Sequence, residues 1–389
     1  MPEKINIAVV GCGMLAQGQH LPNIKANPRL NLTWCCDLDE TTLEIVNTQF
    51  NPKHCTANAQ AIANDKDTDF VVIATHHKVR RQLIELFAHA GKHIFSEKPL
   101  ASDMNETQEI YRILKKTGTG FCLGHNRRCA PAIQQARAVY LKHKAHPSSP
   151  VWRYDREGLG GPANDWFKRT LVLLRVNDDA LSWKQWAFEE GTLFVEMTHF
   201  VDLACYLTGL KPAYVTTIGD KSTHWAVNSI NIEFEDGSLG VVVSTVNGSL
   251  GYPKELIELY YGGAAIAVDH CVELRVVGID DEPFRRTYPL TSDPYPQLHT
   301  DGGIEDYYRK TIAMHQEIAQ GKKNPCPPPW PDKGHSAMLD DFIMEVLAGR
   351  KGPCPIEDAV MSTELIFKAV KSAQNGGTKE KIDLDILRS

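Results

Sequence analysis

A glycine-rich string near the amino terminus has the composition of a turn that binds dinucleotides. The string GCGMLA at residues 11–16 follows an apolar run at residues 5–10, which is typical of a strand buried on both faces. In such a string the first glycine makes the tight turn and the second lets a pyrophosphate approach the backbone, and Ala16 takes the place of a third glycine. The alternative is a plain strand-to-helix turn. We predict that the cofactor contacts Gly11, Gly13, Met14 and Leu15.

Asp37 follows a second apolar run at residues 31–36, and it lies 26 residues after Gly11. A carboxylate at the end of the second strand can accept hydrogen bonds from an adenosine ribose 2′-hydroxyl, and it repels a 2′-phosphate. Asp37 therefore favours NAD over NADP. The alternative is that Asp37 caps the helix that follows.

Lys98 lies in the segment SEKPLA at residues 96–101, directly after an apolar run at residues 92–95. This places it at the carboxyl edge of a sheet, where ligands of open α/β sheets bind. Its ammonium can stabilise charge and relay a proton beside a carbinol or carbonyl oxygen when burial lowers its pKa toward neutrality. We expect a cis bond before Pro99. The alternative is a surface lysine on a loop.

Glu196, His199 and Asp202 form an ExxHxxD pattern in the periodic stretch 192–207, which predicts a helix. Offsets of three and six residues keep the three groups on one side of that helix. A carboxylate near an imidazole can fix its tautomer, so His199 can act as base or acid with Glu196 or Asp202 orienting it. A core histidine or a metal ligand is the alternative. Neither HExxH nor a Cys/His cluster is present, so we predict no metal.

Apolar runs alternate with helical patterns in the first third of the chain. The runs at 5–10, 31–36, 70–74, 92–95 and 120–124 predict a parallel sheet, and so a Rossmann domain at residues 1–128.

Residues 129–389 have a different pattern, which predicts an α+β domain with a large open, predominantly antiparallel sheet. Asp236-Gly237 between two β-rich runs predicts a hairpin. The predicted strands are 213–220, 228–236, 239–246, 255–261, 264–269 and 271–278, and the closing helices are 304–320, 334–348 and 356–374.

Composition limits the class of protein. The 389 residues carry a net charge of -6 without a long basic block, which gives no reason to expect nucleic acid or an anionic membrane as partner. The ten cysteines form no CxxC pair, so we expect a reducing, cytoplasmic location. The amino terminus lacks the pattern of an export signal, and no uncharged apolar stretch approaches the ~18 residues of a membrane span.

The fingerprint, the EKPLA string and the ExxHxxD pattern together resemble the Gfo/Idh/MocA oxidoreductase family, which includes glucose-fructose oxidoreductase and inositol dehydrogenases. The closing segments 333–342 and 355–373 are similar to its C-terminal helices, which return to support the first domain. The resemblance implies a nicotinamide cofactor, a sugar or cyclitol substrate, and Lys98 with His199 at the reacting carbon. It also implies cofactor contacts from Ala74, Thr75, His76, His77, Glu97, Lys98 and Asn126, and substrate contacts from Arg128, Trp183 and Trp186.

The sequence departs from the family pattern at two positions. Val195 stands where many members carry an aspartate, and Glu196 can substitute for it. Arg80 stands where relatives commonly show a histidine. Segment 158–190, rich in Trp and Arg, is predicted to be a lid over the substrate or, alternatively, a subunit contact.

The predicted activity is hydride transfer between NAD and a secondary hydroxyl carbon of a sugar, sugar derivative or cyclitol. Two alternatives stay open: redox-neutral, NAD-dependent cleavage of a glycoside, and a non-catalytic dinucleotide sensor. The broad face of the second sheet is expected to pack against another copy, which predicts a homodimer or homotetramer.

Overall fold

The computed structural model describes residues 4–145, 168–178, 191–249, 251–291, 302–322 and 330–388. The chain divides into two compact units. Unit 1 comprises Met1–Cys129, Gly334–Phe367 and Asp383–Ser389, and unit 2 comprises Ala130–Lys333 and Lys368–Ile382.

Unit 1 is built on a six-stranded parallel sheet with strand order β3-β2-β1-β4-β5-β6. This order is that of a Rossmann domain, so the predicted fold class is confirmed. The short edge strand β3 was not predicted, because its three residues carry no apolar run. The strands are β1 Ile5–Val10, β2 Leu30–Cys36, β3 His54–Thr56, β4 Phe70–Ile73, β5 His93–Ser96 and β6 Phe121–Leu123.

Helices connect these strands, and local capping sets where several of them begin. Asp103, for example, accepts a hydrogen bond from Glu106 N at 2.9 Å, and the same helix ends at Gly118 in the left-handed region. The helices that begin in unit 1 are Leu21–Ala26, Glu40–Phe50, Ala59–Asn64, Arg80–His89, Met104–Thr117, His335–Leu347 and Ile356–Gln374.

The core of unit 1 includes a helix from the far end of the chain. Phe342 on the helix His335–Leu347 is fully buried. Its ring meets Phe70 of β4 edge-on, with centroids 5.7 Å apart, and lies 6.2 Å from the ring of Phe95 on β5. This helix therefore covers the middle of the parallel sheet.

Unit 2 contains a nine-stranded mixed sheet with strand order β14-β13-β12-β11-β7-β10-β9-β8-β17. Its pairs are antiparallel except for β7 with β10, which confirms the predicted class. Its strands are β7 Leu171–Asn177, β8 Pro212–Gly219, β9 Asn228–Phe234, β10 Leu239–Thr245, β11 Glu255–Tyr261, β12 Ala264–Asp269, β13 Glu273–Val277, β14 Arg285–Thr287 and β17 Glu380–Lys381. The strands β15 Leu290–Thr291 and β16 Trp330–Pro331 form a separate two-stranded sheet.

Helices cover one face of this sheet. The helix Pro131–Ala145 contacts β12 and β13, and the helix Met197–Thr208 contacts β7 and β10. Side chains alternate along β10 between buried and partly or fully exposed, so the sheet has an inner face against these helices and an outer face. The remaining described helices of unit 2 are Thr192–Val195 and Ile304–Ala319.

Two sequence predictions in unit 2 are wrong. Residues 171–177, assigned to a lid, form the strand β7 between β11 and β10. The apolar run LVLLRV within this segment is typical of a strand, but the tryptophans and arginines around it favoured the interpretation as a binding segment. The predicted helix 192–207 is two helices, Thr192–Val195 and Met197–Thr208, which are separated by Glu196 with φ of -105° and ψ of -41°.

We expect Phe342→Ala to lower the free energy of unfolding of unit 1 by about 3–5 kcal/mol, because the ring is buried against two strands and its removal leaves a cavity. Urea denaturation followed by circular dichroism measures this. Leu347→Ala, at an exposed position of the same helix, is the matched control, expected within about 0.5 kcal/mol of the unmodified protein. A loss below about 1 kcal/mol for Phe342→Ala would mean that this helix does not complete the core.

Candidate functional site

The carboxyl ends of the unit 1 strands are aligned in register. Val10 pairs with Cys36 on one side and with Ile73 on the other, and Ile73 pairs with Ser96. Strand order reverses between β1 and β4, and ligands of open α/β sheets bind at such a point. The predicted cofactor residues that follow these strand ends are therefore neighbours at one edge: Gly11, Asp37, Ala74 and Glu97.

The two glycines of the loop have different surroundings. Gly11 has φ of +86°, and a Cβ there would lie 2.8 Å from Ala74 C and Thr75 N. Only glycine fits this position. At Gly13 a Cβ would meet nothing within 4 Å, so the backbone is open to an incoming group. This arrangement fits a dinucleotide pyrophosphate, since one glycine makes the turn and the other is approachable.

Asp37 holds the glycine-rich loop. Its Oδ2 accepts a hydrogen bond from Cys12 N at 2.7 Å, and its Oδ1 accepts one from Asp39 N at 3.0 Å. The helix Glu40–Phe50 is capped by Asp39, which accepts from Thr41 N at 3.2 Å. The alternative that Asp37 is the helix cap is therefore wrong.

The chain after the loop turns into a π-helical segment, Ala16–His20, before the helix Leu21–Ala26. Met14 and Leu15, at the start of the helical turn that follows the glycines, are exposed and therefore accessible to a ligand. The π-helical segment brings His20 into the interior, where its Nε2 lies 2.9 Å from Glu97 Oε1. Sequence reasoning missed His20, because it lies 77 residues from this partner.

Glu97 is a buried carboxylate beneath the turn that carries Lys98. Burial by itself would raise the pKa of Glu97, but the hydrogen bond from His20 and neighbouring basic groups outweigh it and lower the pKa to about 2. Those groups are His20, Lys98 and Arg80. Glu97 is therefore ionised across the neutral range. Lys98 is half-buried, and the Lys98–Pro99 bond is cis, as the sequence predicted.

The remaining predicted cofactor residues follow β4 and β6. The rings of His76 and His77 stack with centroids 4.3 Å apart in the turn that also contains Thr75. Asn126 is buried at the start of the short 3-10 turn Asn126–Cys129. Both segments lie beyond the carboxyl ends of parallel strands.

Arg128 is buried within unit 1. Its Nη1 donates to Pro353 O at 2.9 Å and to Asp358 Oδ2 at 2.6 Å. These contacts support a packing role rather than the predicted substrate contact. Trp183 and Trp186, the other predicted substrate residues, lie outside the described residues.

The predicted polar groups of unit 2 are buried together on one stretch of chain. Glu196, His199 and Asp202 are each at most 6% exposed, and His199 N donates to Glu196 O at 3.0 Å. Glu196 lies at the junction of the two short helices, one position before the helix Met197–Thr208. The role of Glu196 or Asp202 in orienting His199 stays a prediction.

Lys254 joins two acidic groups at the edge of the unit 2 sheet. Its Nζ lies 2.8 Å from Glu196 Oε1 and 2.8 Å from Asp178 Oδ2. Asp178 follows β7, and Lys254 directly precedes β11, which pairs with β7. Because burying a carboxylate is costly unless it is paired, Lys254 stabilises both acids. No sequence pattern indicates this role for Lys254, which is 58 residues from Glu196.

No group of three or more His, Cys, Asp or Glu that could hold a metal ion occurs among the residues that the structure describes. In the same part of the chain, no helix combines the length and the apolar character needed to cross a bilayer.

Comparison with known proteins tests the resemblance. Residues 5–125 match the family described as "Oxidoreductase family, NAD-binding Rossmann fold", Gfo/Idh/MocA. This segment of the chain is therefore similar to the NAD-binding domain of that family. The predicted resemblance is thereby confirmed.

Relatives and solved structures extend the similarity along the chain. Inositol 2-dehydrogenase of Rhizobium meliloti is 24% identical, over 68% of this chain and 76% of its own length. Levoglucosan dehydrogenase of Pseudarthrobacter phenanthrenivorans is 26% identical, over 77% and 83%. An oxidoreductase from Agrobacterium radiobacter, in complex with NAD+, L-tartaric acid and magnesium, is 19% identical with a TM-score of 0.73, covering 97% of this chain and 98% of that one. At this identity the structural likeness shows the fold.

The two glycines provide a matched pair of variants. We expect Gly13→Ala to raise the dissociation constant for NADH about tenfold or more, because a methyl group enters the space that the pyrophosphate needs. Its free energy of unfolding should stay within about 0.5 kcal/mol, because that space holds no protein atom. Gly11→Ala should lower the free energy of unfolding by more than about 1 kcal/mol, because its φ is positive and its Cβ would clash with the backbone.

NADH fluorescence titration and urea denaturation separate the two effects. Equal NADH affinity for Gly13→Ala and the unmodified protein would contradict the assignment of this loop to the cofactor.

Proposed function

We propose that this protein transfers a hydride between NAD and a secondary hydroxyl carbon of a sugar, sugar derivative or cyclitol. One observation carries the proposal: the open backbone at Gly13 and the half-buried Lys98 follow aligned strands of one parallel sheet. Such a reaction requires a cofactor-binding loop and a proton-transferring group at the same edge of the sheet. The names of the relatives, inositol and levoglucosan dehydrogenases, support this substrate class.

The glycine-rich loop would hold the cofactor pyrophosphate, and Asp37 would hold the adenosine ribose. Each oxygen of Asp37 already accepts one backbone hydrogen bond. A carboxylate has about four lone-pair sites, so it can accept a ribose hydroxyl as well. A 2′-phosphate beside this charge would be repelled, which favours NAD. When bound, NAD accepts or returns the hydride.

Lys98 and His199 would share the proton transfer. On oxidation the carbinol carbon loses a hydride and its hydroxyl loses a proton, which Lys98 or His199 accepts. Glu196 or Asp202 would orient the His199 ring, and Lys254 would keep Glu196 in place through the 2.8 Å ion pair. Trp183 and Trp186 remain proposed substrate contacts, since aromatic faces stack on sugar carbons.

The outer face of the unit 2 sheet supports an assembly of several copies. Its strands present apolar side chains away from the helices, where a monomer would leave them in water. We propose that this face packs against a second copy in a homodimer or homotetramer. The exposed apolar residues on these strands include Tyr214, Ile218, Leu239, Val243, Tyr260 and Val277.

We expect Lys98→Met to lower kcat by about 100-fold or more, the usual effect of losing a general acid or base. Absorbance of NADH and NADPH at their common maximum, followed with a panel of cyclitols and sugars, measures the rate and the cofactor preference. Lys116→Met, at an exposed lysine of the helix Met104–Thr117, is the matched control.

Equal rates for Lys98→Met and the unmodified protein would remove Lys98 from the mechanism. Substrate consumption without net change in NADH would indicate redox-neutral chemistry. Tight NAD binding without turnover of any substrate would indicate a sensor.

We expect light scattering at micromolar concentration to give two or four times the 43.4 kDa of one chain. Val243→Lys should shift the mass toward one chain, because it places a charge in the proposed apolar contact. Leu347→Lys, at an exposed position of unit 1, should leave the mass unchanged. A mass of one chain for the unmodified protein would contradict the assembly.

A further inference from the structure

Arg80 connects two turns at the cofactor edge of unit 1. It begins the helix Arg80–His89, and its side chain is buried. Its Nε and Nη2 donate to Thr75 O at 3.0 and 2.6 Å. Its Nη1 donates to Glu97 O at 2.6 Å and also to Pro99 O. One guanidinium therefore ties the turn after β4 to the turn after β5.

Two of these acceptors flank Lys98. The carbonyl before it, on Glu97, and the carbonyl after it, on Pro99, are bound to the same nitrogen. The backbone on both sides of the lysine is thereby fixed, and with it the direction in which its side chain leaves the turn. A displacement of about 1 Å at a reacting group can cost about 100-fold in rate.

We propose that Arg80 is a positioning residue, which sets the place of Lys98 relative to the cofactor turn at Thr75. Its effect on the reaction rests on the proposed function. Its effect on the backbone does not.

Only an arginine can make this set of bonds. Its planar fork directs several N–H groups to separate acceptors, whereas the single nitrogen of a lysine cannot reach three carbonyls that lie in different directions. Burial lowers the pKa of Arg80 to about 10, although the negative charge of Glu97 acts to raise it. The guanidinium therefore stays protonated at neutral pH.

The glycine-rich loop is held by other bonds. Gly11 N donates to Cys36 O at 2.8 Å, and Asp37 accepts from Cys12 N. Loss of the Arg80 contacts should therefore disturb the lysine turn more than it disturbs NAD affinity.

The test compares Arg80→Lys with Arg81→Lys. Arg81 is the next residue on the same helix, and it pairs with Glu109 at 2.5 Å and Glu85 at 3.3 Å, which a lysine can still do. Backbone hydrogen–deuterium exchange of segments 74–79 and 96–101, read by mass spectrometry, should accelerate in Arg80→Lys and stay unchanged in Arg81→Lys. Unchanged exchange of both segments in Arg80→Lys would overturn the proposal, whatever reaction the protein catalyses.

Kinetics test the consequence for catalysis. With a polyol that the unmodified protein oxidises, Arg80→Lys should lower kcat about tenfold or more, while KM for NAD and the dissociation constant for NADH change less than about threefold. An unchanged kcat, or a loss confined to NADH affinity, would overturn it. If the unmodified protein oxidises no polyol, the proposed function fails, and the exchange experiment alone decides the positioning role.

Discussion

The arrangement of the site depends on backbone hydrogen bonds that continue across the strand ends of unit 1. Gly11 N donates to Cys36 O, Ala74 N donates to Val10 O, and Glu97 N donates to Ile73 O, each at 2.8–2.9 Å. Each bond fixes the first residue beyond a strand against its neighbour. Because all six strands run in the same direction, their following turns meet at one edge. The positions of the glycine-rich loop, the Thr75 turn and the Lys98 turn all follow from this register.

Buried charge is the second constraint on both units. In unit 1 the Glu97 carboxylate is stabilised by His20 and by nearby cationic groups. In unit 2 the carboxylates of Asp178 and Glu196 share the ammonium of Lys254. Removing one partner of such a group leaves an uncompensated buried charge, which costs about 3–5 kcal/mol. Polar residues at these sheet edges therefore stabilise the fold and the candidate site together, and replacing one of them will disturb both.

Much of the fold could be predicted, because strands and helices are set by local patterns. The apolar runs at 5–10, 255–261 and 264–269 and the helical pattern at 356–374 have the bounds that the structure shows. Prediction failed where one local signal competed with another. The aromatic and basic residues around β7 favoured a binding segment over a strand, and the helical periodicity of 192–207 gave no indication that the helix is divided at Glu196. The three-residue strand β3 has no apolar pattern of its own and forms because β2 offers a free edge.

The sequence by itself determined the class of fold, the glycine-rich turn and the place of Lys98 directly after a strand, since each depends on residues that are neighbours in the chain. Only the tertiary structure decided which side chains hold these elements in place. Arg80 reaches Pro99, Glu196 pairs with Lys254, and Phe342 packs on Phe70 across 272 residues of sequence. Such contacts depend on how strands and helices pack, and packing brings together residues whose separation along the chain carries no signal of their proximity.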